Sequence, residues 1–423
     1  MTTTLERKKL PASLVPVLAL LGISVFINYI DRGNLSIAAP MLKDELGITP
    51  ARLGVLLSAF FYTYACLLPI YGWLVDRLNV YWMLATCYCI WSLATAATGL
   101  VHTFTMLFAL RLLVGAGESV SYPSYSKIIA LNFSEEHRGI ANGCIAAGLA
   151  LGPGFGMLLG GTLMATFGWR PFFIVLGLIS LLWLPPWIKF APSKNLVPPE
   201  DAKHAPSLLE FISLRSAWGS CLHLFCGNYV NYFLLTWLPY FLTRELHFSM
   251  TTMAKIGGGG YLVCACGATF AGWMSDRLIS SGGSPTVVRK AFAGATLGTA
   301  GALLGLCAFV GPTLCIVLLY GAMACFGACS SNIFAISQRL AGPQAAGRWV
   351  GFQNGFGNLA GIVAPTVTGY VVGRTGHFFW AFLILTAVTF VGTACMYFLM
   401  GPVEQVAWGK KARVQKAFEV GAI

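Results

Sequence analysis

Four ionisable residues stand where apolar chain would bury them: Asp31 and Arg32 in one hydrophobic run, Arg111 and Glu118 in another. Of the fifteen acidic residues, only Asp31 and Glu118 lie deep inside such a run. A charge at a bilayer centre costs about 2.5–3.5 kcal/mol on insertion scales, so it persists where it faces a cavity or a partner. The chemistry such a set offers is anion recognition and proton exchange. A guanidinium forks onto two carboxylate oxygens, which makes Arg32 the candidate for a substrate carboxylate. A desolvated carboxyl can exchange a proton, which makes Asp31 and Glu118 the proton-coupling candidates with Arg111 as their partner. Arg111 and Glu118 share one helical face, about 10 Å apart at 1.5 Å per residue. Gly115, Tyr122 and Tyr125 continue that stripe. The expected arrangement is an Asp31–Arg111 pair above a Glu118 that exchanges partners with Arg32. A neutral acid would then release Arg32 for the anion. The structural alternative is a permanent ion-pair cluster joining two helices, although buried pairs are weak evidence for stability.

The elements that position these residues are membrane helices. The chain has 423 residues, 57% hydrophobic and only 10% charged, against about 25% charged in a soluble domain. Apolar runs fall at 14–41, 51–75, 80–101, 104–132, 139–167 and 170–191, then at 217–242, 250–278, 287–311, 313–338, 346–373 and 377–400. Each reaches or exceeds the ~20 residues a spanning helix needs. The run after Arg7-Lys8-Lys9 is too long for a signal h-region and reads as the first span. Basic residues concentrate on one side of the alternating loops, Lys189, Lys194, Arg339 and Lys410 among them. That bias predicts cytoplasmic N- and C-termini. The net charge of +12 is spread over loops and tails rather than one soluble face, which excludes a nucleic-acid partner. The thirteen cysteines form no CxxC and no zinc-like spacing, and they read as small core residues. His102, His223 and His247 are isolated, His223 reading as a packed core residue. No Ser/His/Asp set, P-loop or dinucleotide fingerprint appears, so neither an enzyme nor a cofactor or metal is expected.

The two halves repeat. Gly72-Trp73-Leu74-Val75-Asp76-Arg77 ends the second run, and Gly272-Trp273-Met274-Ser275-Asp276-Arg277 ends the eighth. Gly152-Pro153 in the fifth run is echoed by Ala364-Pro365 in the eleventh. Residues 192–216 are proline-rich and polar, with an amphipathic piece near Leu208–Leu214, and divide an N-terminal six-helix half (1–191) from a C-terminal one (217–400). A basic tail, 401–423, follows.

At the repeated Gly-x-x-x-Asp-Arg the chain resembles the major facilitator superfamily. Asn79 replaces that motif's second glycine and Tyr81-Trp82 its basic pair; Arg289 and Lys290 follow the second copy at a distance. Asn28-Tyr29-Ile30-Asp31-Arg32-Gly33-Asn34-Leu35, the Arg111 to Glu118 stretch with Pro123, and Tyr232 to Leu242 with Trp237 and Pro239 resemble the anion:cation symporter family. Its members include galactonate, hexuronate and glucarate permeases and the lysosomal sialic-acid carrier. The resemblance implies an all-α, twelve-helix major facilitator fold of two six-helix halves with pseudo-two-fold symmetry around a central cavity. It assigns gating to Gly72, Asp76, Arg77, Gly272, Asp276 and Arg277. Tyr64 matches a cavity tyrosine of the galactonate-type permeases, and Asn354 a polar position of helix 11.

Ser330, Asn228 and Asn231 complete the substrate candidates, although such residues serve equally in helix–helix hydrogen bonding. The resemblance implies amide side chains in helices 5 and 7 of a sugar-acid permease; the fifth run offers none at Ala146 to Pro153, which leaves room for a less hydroxylated or more aromatic acid. Its Gly148-x-x-x-Gly152-Pro153 also resembles an antiporter pattern; close packing is the preferred reading. The expectation is a monomeric, multi-pass protein of the cell membrane, the bacterial inner membrane, carrying a small organic anion with protons across the lipid bilayer. An anion exchanger or uniporter, or a transporter-like ligand sensor, are the alternatives.

Overall fold

The computed structural model describes residues 11–75, 78–133, 135–191, 208–406 and 408. Among the described residues, ten helices are long and apolar enough to cross a membrane: α1 (Ala12–Leu46), α2 (Pro50–Gly72), α3 (Val80–Thr98), α4 (Phe104–Ile129), α5 (Ala147–Phe167), α6 (Trp169–Phe190), α9 (Pro285–Phe309), α10 (Pro312–Ala341), α11 (Trp349–Thr375) and α12 (Phe379–Leu399). Two more, α7 (Arg215–Tyr240) and α8 (Met250–Ser280), complete twelve. They are long but more polar, α7 through His223, Asn228 and Asn231, α8 through Lys255, Asp276 and Arg277. On α7 nearly every residue from Tyr229 to Leu242 is buried, as expected of an interior helix. Among the described residues there is no strand.

Local chemistry sets the ends. Asn79, which stands where the family motif has glycine, caps α3: its side chain accepts from the amides of Tyr81 (3.0 Å) and Trp82 (3.4 Å). Thr103 caps α4 through the amide of Met106 at 3.3 Å. Gly47 closes α1 in the left-handed region, φ 60°. Pro153 and Pro239 each precede a π-turn, Gly156–Gly160 and Phe241–Glu245, where one extra residue absorbs the proline's missing donor. Between α10 and α11 the sequence suggests a short loop, yet helical bonding runs unbroken from Pro312 to Asn358. Helix formers Ala341, Gln344, Ala345 and Ala346 stand in that connection, and propensity alone does not offset Pro343.

Contacts divide the described residues into two compact units: unit 1 takes those within 11–48, 59–191 and 250–258, unit 2 those within 49–58, 208–249 and 259–408. In unit 1, α1 lies on α5 through small residues. A Cβ on Gly152 would stand 2.5 Å from that of Tyr29, and one on Gly148 3.0 Å from the Gly22 carbonyl oxygen. The Gly148–Gly152 stripe therefore serves close packing. One end of unit 1 is sewn by aromatics: Trp183 stacks on Tyr88 (4.2 Å) and Trp187 (4.7 Å), and the two indoles donate to the carbonyls of Leu20 and Tyr81. In unit 2, Gly267 and Gly327 let the backbones of α8 and α10 meet, each facing a carbonyl of the other helix. The short helix Leu208–Ile212 is anchored by Phe211, whose ring lies 4.6 Å from Trp349 and 5.7 Å from Trp408. Large exposed apolar side chains such as Ile23, Leu93, Leu182, Val317 and Phe398 cover the helix exteriors, a surface suited to lipid and unsuited to water.

Candidate functional site

The candidate site of unit 1 is built on α1, α2 and α4. On α1, Asn28, Asp31 and Arg32 lie within one turn, so all three face inward, 1%, 1% and 6% exposed. On α4, Gly115 has no side chain where the helix meets α2, and a Cβ there would collide with the Phe60 carbonyl. Thr63 on α2 donates to the Leu112 carbonyl at 2.7 Å and fixes that approach. The close crossing brings Phe60 and Tyr64 against the residues that α4 presents, Arg111 and Glu118.

Arg32 Nε donates to Glu118 Oε2 at 3.0 Å, with Glu118 wholly buried. The Arg32 guanidinium carbon lies 4.4 Å from the Tyr64 ring centre, 4.7 Å from Tyr29 and 5.1 Å from Phe60. Three aromatic faces and one carboxylate thus enclose the cation, an arrangement that is strongest where water is excluded. Tyr64 itself stacks on Phe60 at 5.1 Å. Arg111 also lies over the Phe60 ring, 5.4 Å from its centre.

Asp31 stands apart from the expected arrangement. Among the described residues it closes no ion pair with Arg111, which acts on it from a distance together with Glu118. Neither of its carboxyl oxygens has a hydrogen-bond partner there. The physical reason is rotation: Asp31 turns toward Thr95 on α3, while the α4 arginine is drawn to the Phe60 ring.

In unit 2, Tyr232 on α7 donates to Asn358 Oδ1 at 2.5 Å, and Asn358 Nδ2 reaches Asn354 Oδ1 at 3.2 Å on α11. The Asn228 amide lies against Gly357. The structure thus gathers Asn228 and Asn354 near the same segment of α11; Asn231 is half-buried on α7. Ser330 is half-buried on α10 and donates to the Gly327 carbonyl of its own helix at 2.8 Å. Asn358 and Tyr232 are absent from the sequence candidates. Their signal, a tyrosine and an amide in apolar helices, is the same as that of many packing residues. His223 is a packed residue, its ring bonded to the Gly392 carbonyl at 2.9 Å and near Cys329.

Of the gating candidates, Asp76 and Arg77 lie outside the described residues. Gly72 and Gly272 have open surroundings. Asp276 pairs with Arg289 at 2.5 Å, and Arg289 also donates to Ser275 (2.9 Å) and Asn332 (3.0 Å), binding α8, α9 and α10 together. The distant Arg289 therefore meets the carboxylate of the second motif copy. Arg277 lies over the Trp273 ring at 5.4 Å.

The sequence pattern of the Major Facilitator Superfamily matches residues 21–365. A hexuronate transporter of Bacillus subtilis (strain 168) is 28% identical over 385 residues, covering 88% of this chain and 90% of that protein. A protein described as a "Probable sulfoacetate transporter" of Cupriavidus necator is 28% identical over 409 residues, covering 90% and 93%. Among solved structures, a bacterial homolog of the human lysosomal transporter Spinster, inward-facing and occupied, superposes with a TM-score of 0.76 at 20% identity, over 92% of this chain and 95% of that one. That last likeness shows the fold.

Proposed function

The chain belongs to the Major Facilitator Superfamily and is a multi-pass membrane transporter, not an enzyme, and on that premise we propose that it couples uptake of a small organic anion to protons by alternating access. The observation that carries this reading is the buried Arg32–Glu118 pair at 3.0 Å inside its aromatic box. While Glu118 is ionised it holds Arg32. Once Glu118 is protonated the guanidinium is free to fork onto a substrate carboxylate, with Tyr64 bounding the site. Anion and proton then bind together, which is symport. Asp31, beside Arg111, is the second proton-coupling acid. Relatives named for a hexuronate and for sulfoacetate support a carboxylate of either hydroxylated or sparsely hydroxylated kind. Asn354, Asn228, Asn231 and Ser330 are the proposed contacts to the rest of the substrate.

The moving bodies proposed are the halves 1–191 and 217–400, joined by 192–216, with both termini in the cytoplasm of a bacterial inner membrane and the monomer as the working unit. The basic tail is 401–423. Gly72, Asp76, Arg77, Gly272, Asp276 and Arg277 are the proposed gating positions.

The test uses purified protein in liposomes carrying an internal pH dye, acid outside, with D-glucuronate, D-glucarate and sulfoacetate as probes. Symport predicts that one of them accumulates, acidifies the lumen and loses accumulation to a protonophore. Flux insensitive to the protonophore identifies an exchanger or uniporter. Binding by thermal shift without flux identifies a sensor. Either result overturns the proposal.

A further inference from the structure

Buried polar atoms in folded proteins nearly always have a partner, protein or water. The interior of unit 1 breaks that rule at several atoms, and one group of them includes two carboxyls. Among the described residues, Asn28 Nδ2, both Asp31 carboxyl oxygens, Glu118 Oε1, Tyr88 OH and Ser121 Oγ are all enclosed without a hydrogen-bond partner. They come from three helices, α1, α3 and α4, and their residues are 0–1% exposed. Several of them are neighbours, and Ser121 reaches the group through Tyr125. The Asn28 amide faces the Glu118 carboxyl, and the Tyr88 side chain stands within electrostatic reach of Asp31, Tyr125 and Glu118 and close to the Ser180 hydroxyl. Asp31 and Glu118 lie within electrostatic reach of each other. So many orphaned donors and acceptors around two carboxyls match the sites that buried water occupies, where each water takes about three polar partners.

We propose that the wedge between α1, α3 and α4 binds water, and that Tyr88 and Asn28 position that water as a proton bridge between Asp31 and Glu118. The bridge rests on the proton-coupled reading above and deepens it. In each transfer the Glu118 O–H bond breaks as its proton passes to a bound water. That water gives one of its own protons to an Asp31 oxygen, forming the new O–H and leaving the water neutral and Glu118 ionised. Arg32 and Arg111, the cations of the same cluster, then hold Glu118 and face Asp31 respectively. The two acids thus share one proton, and the pair, not either carboxyl alone, is the coupling unit. Ser24 bonds the Tyr125 hydroxyl, and Tyr88 and Tyr125 pack into a buried apolar cluster with Leu21, Val25, Ile128 and Trp183.

The test is X-ray radiolytic labelling of the full-length protein with mass-spectrometric readout, since bound water beside a buried side chain generates the label in place. Tyr88 and Tyr125 should be labelled, whereas Phe173 and Phe382, equally buried among apolar neighbours, should not. Labelling of the two tyrosines no stronger than of the phenylalanines overturns the proposal. Tyr88→Phe keeps the ring against Trp183 and removes the hydroxyl. It should reduce labelling of Tyr125 and slow anion-driven proton uptake at least about tenfold, the scale of a lost proton relay. Ser121→Ala, a smaller change, should act in the same direction. Wild-type proton uptake in both variants, with intact thermal unfolding, overturns the bridge. If no probe anion moves protons in the wild type, the transport reading falls, while the labelling still decides whether water is bound.

Discussion

Arg32 is enclosed by its partners rather than merely charged. Replacing it with lysine keeps the charge but removes the planar fork and most of the stacking on Tyr29, Phe60 and Tyr64. Loss of a charge-assisted bond is worth about 1.5–3 kcal/mol, so Arg32→Lys should weaken anion binding by at least about tenfold. Calorimetric titration with the transported probe measures it; unchanged affinity would remove Arg32 from the site. For Glu118→Gln the expectation differs in kind. One proton carried with a monoanion supports about tenfold accumulation across a pH gradient of one unit. The variant should bring that ratio down to about one while retaining counterflow, because the neutral amide mimics the protonated acid. Proton-driven accumulation that survives excludes Glu118 from coupling. The four charges were legible in sequence, since an ionisable residue in an apolar run is conspicuous. The pairing was legible in part: Arg32 and Glu118 were expected as partners and meet at 3.0 Å, whereas the expected Asp31–Arg111 pair depends on helix rotation, and Asp31 turns to α3. The neutral members, Asn28, Tyr88, Tyr232 and Asn358, carry no such signal and emerge only from their surroundings.

Helices were the most readable level, because twenty apolar residues and a cap leave few alternatives. What the pattern could not supply is which face each helix offers its neighbour. Gly148 and Gly152 show this, since the same residues fit an antiporter pattern or a packing stripe, and only the contact with α1 distinguishes them. Filling that contact should be costly. Gly152→Val places methyl groups against Tyr29, and overpacking of this kind costs about 1–3 kcal/mol. The melting temperature in detergent should fall, and binding should weaken as α1 shifts under Arg32. Gly355→Ala is the control, with nothing within 4 Å of the added carbon, and should melt as the wild type does. Equal melting of both variants would show that the α1–α5 contact bears no strain. The polar helices α7 and α8 mark the other limit of hydropathy. Their amides and charges dilute the apolar signal because, on α7, the helix lies inside its unit rather than against lipid.

At the scale of the whole chain, two helix ends are grouped by contact away from the rest of their helices: residues 49–58 of α2 lie in unit 2, and 250–258 of α8 in unit 1. Within unit 2 the α2 end meets α11 at backbone distance. A Cβ on Gly369 would stand 2.6 Å from the Pro50 carbonyl oxygen and 2.9 Å from Gly54 Cα. Ser58 donates to the Ile362 carbonyl at 2.9 Å and bonds the Thr366 hydroxyl at 2.9 Å. A carrier that alternates must make and break a seam of this kind, and two glycines make it tight without interlocking side chains. Gly369→Leu should hold it apart. An obstruction costing about 1.4 kcal/mol already shifts a two-state balance about tenfold, and the collision with two backbones exceeds that. A cysteine placed at Ser58 in a cysteine-free background should then react faster with a membrane-impermeant maleimide, while uptake falls by a similar factor. Slower labelling with normal uptake would mean that the seam is a fixed part of unit 2, and the proposed motion would have to be sought at other helix ends.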